Sequence, residues 1–125
     1  MGPIAVIGAL FILAAAAAEP VCIDHVHDGD TFTLCSREKI RIANIDAPEL
    51  PDSPKCKGAR AVTAWCDYQV GYASRDALAA LMASGSVILL RQGQDRYGRT
   101  LACVVVNGRD AGAYLVGRGL ARPWR

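Results

Sequence analysis

A charged strand end constrains the fold of this chain more than any other feature of its sequence. Arg41 stands in an apolar, strand-like run that ends in Asp46, a proline turn and Glu49. Unpaired charge is costly to bury, so a strand that only filled a core would not carry these groups. They require a neutralising partner, which can be one another, a metal ion or an anionic ligand. We therefore expect the fold to hold this segment against two other charged stretches, residues 28–31 and 95–99.

The amino-terminal residues indicate a targeting segment. Residues 4–18 are apolar apart from Gly8 and end in alanines, a run too short for a comfortable membrane span. We predict a signal peptide over residues 1–18 and a secreted or periplasmic domain over residues 21–125. The alternative is an uncleaved anchor, which would place the domain at a membrane. No Lys or Arg precedes the apolar run, an oddity that a misplaced start codon would also explain.

Length and charge limit what else the chain can be. With 125 residues it forms one domain with a modest core. A net charge of +2 is too small to indicate nucleic-acid binding, so any affinity for polyanions depends on how the charges are distributed. No stable protein partner is implied, and we expect a monomer.

Five cysteines in so short a chain fit export to an oxidising compartment. No CxxC pair is present, which makes a structural zinc site improbable. If Asp28-Gly29 is a hairpin loop, Cys22 faces Cys35 at a non-hydrogen-bonded position, where a disulfide is feasible. A bulge would shift this register by one residue. We expect Cys103, in an apolar run, to be a buried free thiol.

The order of elements predicts a small β-rich α+β domain. The predicted elements are strands over residues 21–27, 30–35 and 39–46, a loop over 50–72, a helix capped by Ser74 and ended by Gly85, strands over 86–91 and 100–106, and a helix over 111–118 ended by Gly119. This order suits a five-stranded OB-fold barrel with two to three helices. Cys56 and Cys66 predict a second disulfide, which would pin the loop.

The acids and arginines together have the chemistry of a phosphodiesterase site. Four acids come from two segments: Asp28, Asp30, Asp46 and Glu49. Brought together they would repel unless a cation compensates, and oxygen ligands suit Ca²⁺ or Mg²⁺. Arg41 and Arg99 each offer a fork of donors that matches two phosphate oxygens. A metal to hold water, a carboxylate to take its proton and guanidinium groups to stabilise the phosphorane complete the set.

Three motifs in this order resemble the staphylococcal nuclease (thermonuclease) family, over roughly residues 21–124. They are Asp28-Gly29-Asp30-Thr31, then Arg41 with Asp46-Ala47-Pro48-Glu49, then Asp95-Arg96-Tyr97-Gly98-Arg99. The resemblance implies an OB-fold endonuclease that depends on Ca²⁺, acts on DNA and RNA, and leaves 3′-phosphates.

The resemblance also implies which residues bind the metal. Asp30 and Asp46 match calcium ligands, and Ala47 matches a residue that lends its backbone carbonyl to the ion. Asp28 matches a residue that supports the site. Ala47 stands where the family usually has threonine, a small loss because the ligand is a main-chain oxygen.

The same resemblance implies the catalytic groups. Glu49 matches the proposed general base, and Arg41 and Arg99 match the two arginines that contact phosphate. Tyr97, with its neighbour Arg96, is assigned to the phosphate of the substrate.

Departures from the family leave alternatives open. The aromatic residues that stack on a base near the family's carboxyl end are not reproduced, and Trp124, the nearby candidate, is expected rather to pack in the core or tail. The alternative function is a non-catalytic OB-fold module that binds oligonucleotides. Intact Arg41, Glu49 and Arg99 favour the enzyme, because a binding module needs no general base.

Two points of geometry follow from strand periodicity. Arg41 and Asp46 would face opposite sides of a regular strand, so they converge only if the strand bulges or coils. His25 and His27 share one strand face, which allows a transition-metal site. A supporting or surface role for these two histidines is the interpretation we favour.

Overall fold

The computed structural model describes residues 19–124, apart from the side chain of Arg60. The signal peptide predicted over residues 1–18 lies outside the described residues. No helix in the described part of the chain combines the length and apolar character that crossing a membrane requires.

A mixed β-sheet forms the centre of the domain. The strands in chain order are β1 (Ile23–Asp28), β2 (Thr31–Leu34), β3 (Lys39–Ile42), β4 (Ile45–Asp46), β5 (Val87–Gln94), β6 (Thr100–Val106), β7 (Arg109–Asp110) and β8 (Arg122–Pro123). The order in the sheet is β1-β2-β3-β6-β5, with β7 beside β6, while β4 and β8 form a separate pair. Only the β3–β6 pairing is parallel among the described strands. The predicted β-rich α+β class is confirmed.

The first hairpin turns later than predicted. Its turn is Gly29–Asp30, and Asp28 pairs with Thr31. Two bulges in β1 compensate for this shift of the turn, so Cys22 still lies opposite Cys35. The predicted disulfide between them is present, with its Cα atoms 5.4 Å apart. The Cys35 N–H donates to the Cys22 carbonyl at 2.8 Å, so the non-hydrogen-bonded position predicted for this pair is wrong.

The predicted third strand is in fact two strands. β3 ends at Ile42, a turn occupies residues 43–44, and β4 then pairs with β8 near the carboxyl end. The turn is held because the Asn44 carbonyl accepts the Trp124 N–H at 3.0 Å. This break redirects the chain, so that Arg41 and Asp46 face one another in place of the bulge or coil that we predicted.

Strand alternation builds the core. Every second residue of β6 is buried, and the residues between are half-buried. The largest fully buried apolar side chains come from several elements: Phe32, Ile40, Ile42, Ile45, Leu78, Leu115, Val104 and Val106. Burying each contributes about 1.5–3 kcal/mol. Cys103 is a free thiol that accepts a hydrogen bond from Gln92, but it is half-buried on the outer side of β6 rather than buried as predicted.

Helix α1 (Tyr68–Ala83) begins earlier than predicted. Asp67 is its N-cap and accepts the Val70 N–H at 3.2 Å. Ser74, the predicted cap, is fully buried in the middle of the helix. The first turns were missed because their buried positions carry the small residues Gly71 and Ser74 instead of large apolar side chains.

Close packing explains these small residues. A Cβ added to Gly71 would lie 2.9 Å from the Glu49 carbonyl oxygen, and a Cβ added to Gly29 would lie 1.9 Å from the Ser74 Oγ. Helix α1 therefore presses directly on the tip of the first hairpin and on the segment after β4. Both segments carry acids that we predicted to form a phosphodiesterase site.

The segment predicted as a loop over residues 50–72 is partly helical. It contains two 3₁₀ helices, Pro54–Cys56 and Gly58–Val62, before α1 begins. The predicted disulfide between Cys56 and Cys66 is present, with Cα atoms 5.8 Å apart. Helix α2 (Ala111–Gly117) closes the domain close to its predicted bounds, and Gly119 follows it with a φ of 73°. The described residues thus form two α-helices, within the predicted range.

Glu38 connects the β2–β3 turn to strands β5 and β6 of the sheet. Its Oε1 accepts from Arg91 Nη2 at 2.7 Å, and its Oε2 accepts from Arg91 Nε at 3.0 Å and from Thr100 Oγ1 at 2.8 Å. The hydrogen bond from Arg91 lowers the pKa of Glu38 against the effect of burial, and Thr100 adds to that lowering. Because the folded-state pKa is depressed, the stabilisation is present above the unfolded value of 4.5 and lost as the pH falls through the folded value.

Replacing Glu38 by Gln should lower the free energy of unfolding by about 0.5–1 kcal/mol at pH 7. The loss should shrink as the pH falls, because the wild-type carboxylate is then protonated too. Urea unfolding at pH 7 and pH 3 measures both effects, with Glu19→Gln, an exposed acid, as the control. An equal loss at both pH values would contradict a role for the charge.

Candidate active site

Arg41 lies at the centre of the clustered charges. Its Nη2 is 3.6 Å from Asp30 Oδ2 and 3.8 Å from Asp46 Oδ1, while its Nη1 donates to the carbonyls of Ile42 and, at 2.8 Å, Ile45. The side chains of Arg41 and Asp30 are only 11% and 7% exposed. Water therefore screens this ion pair poorly, and the main-chain carbonyls fix the guanidinium in place.

Asp30 ties the tip of the first hairpin to the segment after β4. Its Oδ2 accepts the Ala47 N–H at 2.8 Å, and its Oδ1 accepts the Thr31 hydroxyl at 2.9 Å. The Asp30 N–H in turn donates to Asp28 Oδ1 at 3.0 Å. The two acidic segments singled out in the sequence therefore meet through direct bonds.

Asp28 shows how crowded the acids are. Burial raises its pKa to about 8, and the negative charges of Asp30 and Glu49 add to the effect. With this pKa, the carboxyl group of Asp28 keeps its proton at neutral pH. Three acids from the hairpin tip and from residue 49 thus lie within electrostatic reach of one another.

Glu49 lies between two cavities. A cavity of about 510 Å³ is lined by Glu49, Asp28, His27, Tyr72 and Arg75 among others. A second, of about 250 Å³, is lined by eight residues: Asp46, Glu49, Lys55, Thr63, Ala64, Trp65, Arg122 and Trp124. Glu49 Oε1 accepts the Ser53 hydroxyl at 2.7 Å. Glu49 thus lines both cavities, and its carboxylate is held by the Ser53 hydroxyl.

Arg99 lies on the β5–β6 hairpin, outside the Arg41 cluster. Its Nε donates to Asp95 Oδ2 at 2.7 Å, and the N–H groups of Arg99 and Tyr97 donate to Asp95 Oδ1 at 3.0 and 2.9 Å. Although burial opposes ionisation of Asp95, these bonds hold the pKa of that carboxyl below its ordinary value. The guanidinium carbons of Arg99 and Arg96 lie 5.6 and 5.1 Å from the ring centre of Tyr97, which is 68% exposed.

Arg99 lines a third cavity, which shares Lys55 and Ser53 with the surroundings of Glu49. It measures about 310 Å³, and its lining includes Arg99, Tyr97, Lys55 and Ser53. Lys55 also lines the cavity of Asp46 and Glu49, and Ser53 bonds Glu49 directly. The structure thus brings together five predicted residues, Asp28, Asp30, Arg41, Asp46 and Glu49. It puts Arg99 in a neighbouring cavity rather than in contact with them.

Arg122 and Trp65 are neighbours of the site that the sequence did not reveal, whereas Trp124, which we expected to pack in the core or tail, lies exposed beside Arg41. Arg122 Nη2 lies 3.4 Å from Asp46 Oδ2, and its guanidinium carbon is 4.1 Å from the ring centre of Trp65. Trp124 is 58% exposed, with the Arg41 guanidinium carbon 5.1 Å from its ring centre. The only signal was the composition of the carboxyl-terminal tail, because the pairing of β4 with β8 is long-range.

The donors of this site fit a hard cation. Two carboxylates, Asp30 and Asp46, converge on one cationic nitrogen of Arg41. An all-oxygen set of this kind suits Ca²⁺ or Mg²⁺. Within residues 19–124, no group of three or more potential ligand side chains is already arranged around a common point. The main-chain group of Ala47 that contacts Asp30 is the N–H, which donates to Asp30 Oδ2.

The two histidines interact with each other and with a hydroxyl. The ring centres of His25 and His27 are 4.4 Å apart and edge-on, and His27 Nε2 lies 2.9 Å from Thr33 Oγ1. Partial burial and the neighbouring His25 lower the pKa of His27, so its ring is neutral at pH 7. This arrangement fits the supporting or surface role that we favoured over metal binding.

Replacing Asp28 by Asn should raise stability at pH 7–8 in a chelator, because Asn keeps the acceptor for the Asp30 N–H and removes the crowded acid. The unfolded chain releases the Asp28 proton near 3.8, whereas the folded protein holds it until about 8. The wild type should therefore lose stability as the pH rises between these values, and the variant should lose less. Thermal unfolding between pH 4 and 8 tests this. An equal destabilisation by Asn at every pH would contradict it.

Comparison with known proteins identifies the family. Residues 39–125 match the family described as staphylococcal nuclease homologue. The chain is 32% identical over 100 residues to an uncharacterized endonuclease of Haemophilus influenzae, covering 77% of this chain and 47% of that protein. It is 33% identical over 107 residues to endonuclease YhcR of Bacillus subtilis, covering 79% of this chain and 8% of that protein. The chain thus spans about half the length of one relative and a small part of the other. It belongs to the staphylococcal nuclease family.

Proposed function

We propose that this chain is an exported, calcium-dependent endonuclease that hydrolyses phosphodiester bonds in DNA and RNA. The observation that carries the proposal is the convergence of Asp30 and Asp46 on the largely covered Arg41, with Glu49 beside them in the lining of two cavities. Membership of the family and the printed names of both relatives, each an endonuclease, support it.

Asp30, Asp46 and the Ala47 carbonyl would hold the Ca²⁺, and Asp28 would support them. The bound ion supplies neutralisation of charge on the phosphate and polarisation of a water molecule. Arg41 faces both carboxylates, so a cation and this guanidinium can share them. The raised pKa of Asp28 fits a support role, because a protonated carboxyl adds no further negative charge.

The remaining groups act on the water and the phosphate. Glu49 accepts the water's proton at Oε2, since its Oε1 already accepts the Ser53 hydroxyl. The water oxygen attacks phosphorus, the bond from phosphorus to the 5′ oxygen breaks, the 5′ oxygen leaves with that electron pair and takes a proton from solvent water, and a 3′-phosphate remains. Arg41 and Arg99 donate to the phosphate oxygens, where charge grows in the transition state.

The surface near Arg99 suits a polyanion. Arg96, Arg99 and Lys55 place positive charge around the exposed Tyr97 ring. In our proposal, Tyr97 and Arg96 contact a phosphate of the substrate. Positive groups that track the backbone bind DNA and RNA alike.

We also propose that the sheet closes as a five-stranded OB-fold barrel. Its two outer strands approach each other just before β1, where the Val21 N–H donates to the Val87 carbonyl of β5 at 2.9 Å. The parallel β3–β6 pairing supports the same interpretation. Such barrels bind oligonucleotides on one face.

The proposed export rests on the two disulfides and on the leader. Disulfides persist in extracellular and periplasmic compartments. We propose that residues 1–18 are a cleaved signal peptide preceding the domain of residues 21–125. The intact mass of the mature protein would decide between cleavage and a retained anchor.

Glu49→Gln should lower kcat by about 100-fold or more, because the amide cannot accept the proton. Its melting temperature should change little, since Gln can still accept the Ser53 hydroxyl. Cleavage of a fluorescent oligonucleotide and thermal unfolding measure the two effects. Glu38→Gln is the matched control, since it should lower stability and leave kcat unchanged. Parallel losses of activity and melting temperature in Glu49→Gln would mean that Glu49 is structural.

Chelation separates the enzyme from the alternative, a non-catalytic oligonucleotide-binding module. Plasmid cleavage should stop in EDTA and return when Ca²⁺ is supplied in excess. Cleavage that continued in EDTA would contradict the calcium role. Oligonucleotide binding without cleavage in Ca²⁺ would instead favour the binding module.

A further inference from the structure

We infer that Ser53 is a positioning residue for Glu49, locked in place by the Cys56–Cys66 disulfide. Catalysis should therefore depend on the redox state of that disulfide. The inference rests on the proposed role of Glu49 as the general base, which it deepens.

The side chain of Glu49 is directed by Ser53. The Ser53 hydroxyl donates to Glu49 Oε1 at 2.7 Å, and Ser53 Oγ itself accepts the Lys55 N–H at 3.3 Å. Because the Lys55 N–H occupies a lone pair of this oxygen, the hydroxyl proton is oriented towards the carboxylate. One oxygen of Glu49, Oε1, is thus held by the Ser53 hydroxyl, which fixes the orientation of the carboxylate.

The main chain of Glu49 is held from the opposite side of the same loop. Its N–H donates to the Trp65 carbonyl at 2.7 Å. Its carbonyl packs so closely against Gly71 of α1 that a Cβ there would be 2.9 Å away. Backbone and side chain of Glu49 are therefore fixed by separate contacts.

The disulfide joins the two parts of this arrangement. Ser53 caps the 3₁₀ helix that ends at Cys56, and Trp65 directly precedes Cys66. The Cys56–Cys66 bond therefore closes a ring that runs from Glu49 through Ser53 and back through Trp65. Without this bond, the residues that contact Glu49 from the two sides of the loop are joined only by the main chain from Cys56 to Cys66, and both contacts to Glu49 lose their covalent support.

Reduction would release this ring. A dithiol reductant supplies two electrons and two protons, the Cys56–Cys66 bond breaks into two thiols, and the dithiol closes to its own disulfide. Cys22 and Cys35 bridge the first hairpin far from these contacts in sequence, and their disulfide offers a matched control.

The first test separates positioning from folding. Ser53→Ala should lower kcat about 10-fold with KM nearly unchanged, and Ser53→Thr, which keeps the hydroxyl, should recover most of the loss. Ser36→Ala is the control, because Ser36 also accepts a main-chain N–H two residues ahead but contacts no carboxylate in the structure. A wild-type kcat in Ser53→Ala, or no recovery in Ser53→Thr, would overturn the role of the hydroxyl.

The second test addresses the disulfide. The Cys56→Ser/Cys66→Ser variant should lose kcat about 10-fold with KM nearly unchanged. The Cys22→Ser/Cys35→Ser variant should keep its kcat at a temperature where both remain folded, and a dithiol should then reduce that kcat by the same factor. Equal kcat values for the two variants before reduction, or a kcat of the Cys22→Ser/Cys35→Ser variant that the dithiol leaves unchanged, would overturn the redox dependence.

A third measurement does not require nuclease activity. Hydrogen exchange of the Glu49 amide, followed by NMR in EDTA, reports its bond to the Trp65 carbonyl. Exchange should be at least 10-fold faster in Cys56→Ser/Cys66→Ser than in the wild type and unchanged in Cys22→Ser/Cys35→Ser. Equal protection of the Glu49 amide in all three proteins would contradict the claim that the Cys56–Cys66 disulfide holds the Glu49 main chain in place. A wild type that holds this amide but cuts no nucleic acid would instead refute the proposed function.

Discussion

The ion pair of Arg41 with the buried Asp30 is the interaction on which the site depends, and the partly exposed Asp46 lies beside it. Taking a guanidinium and a carboxylate out of water is expensive unless the remaining donors and acceptors are satisfied. Here the Arg41 Nη1 donates to two carbonyls, and Asp30 accepts from a main-chain N–H and a hydroxyl. These bonds offset the desolvation cost, and they join β3, the first hairpin and the segment after β4 in one unit.

Helix α1 keeps that unit compact. Its small residues, Gly71 and Ser74, allow it to approach the hairpin tip and the Glu49 backbone at distances that a larger side chain would forbid. The packing crowds acids together, and the raised pKa of Asp28 is one consequence. Holding these like charges close together lowers the stability of the fold, which is typical of sites that bind a cation or an anionic substrate.

Much of the fold could be predicted because its signals are local. Alternation in the strands, the Gly turns, the register of the first hairpin and the positions of the cysteines predicted the sequence of strands along the chain, both disulfides and the second helix. The break in β3 was not visible, because the turn at residues 43–44 is stabilised by Trp124, far away in sequence. The early start of α1 was hidden for a related reason, since its buried face is shaped by contacts with Gly29 and Glu49.

The candidate site was predictable to the extent that it resembles a known pattern. The motif acids and Arg41 were found from order and spacing. Order and spacing did not identify Ser53, Lys55 or Arg122. These residues reach the site only through the disulfide-bridged segment and the β4–β8 pairing. Arg99 is also instructive: its motif is intact, yet its guanidinium is paired with Asp95 in a neighbouring cavity.

A crystal structure with Ca²⁺ and a nucleoside 3′,5′-bisphosphate tests the shared pocket most directly. We predict an ion bound by Asp30, Asp46 and the Ala47 carbonyl, with Glu49 beside it and one phosphate contacted by both Arg41 and Arg99. An ion bound away from Asp30 and Asp46, or a phosphate that neither arginine contacts, would contradict the account.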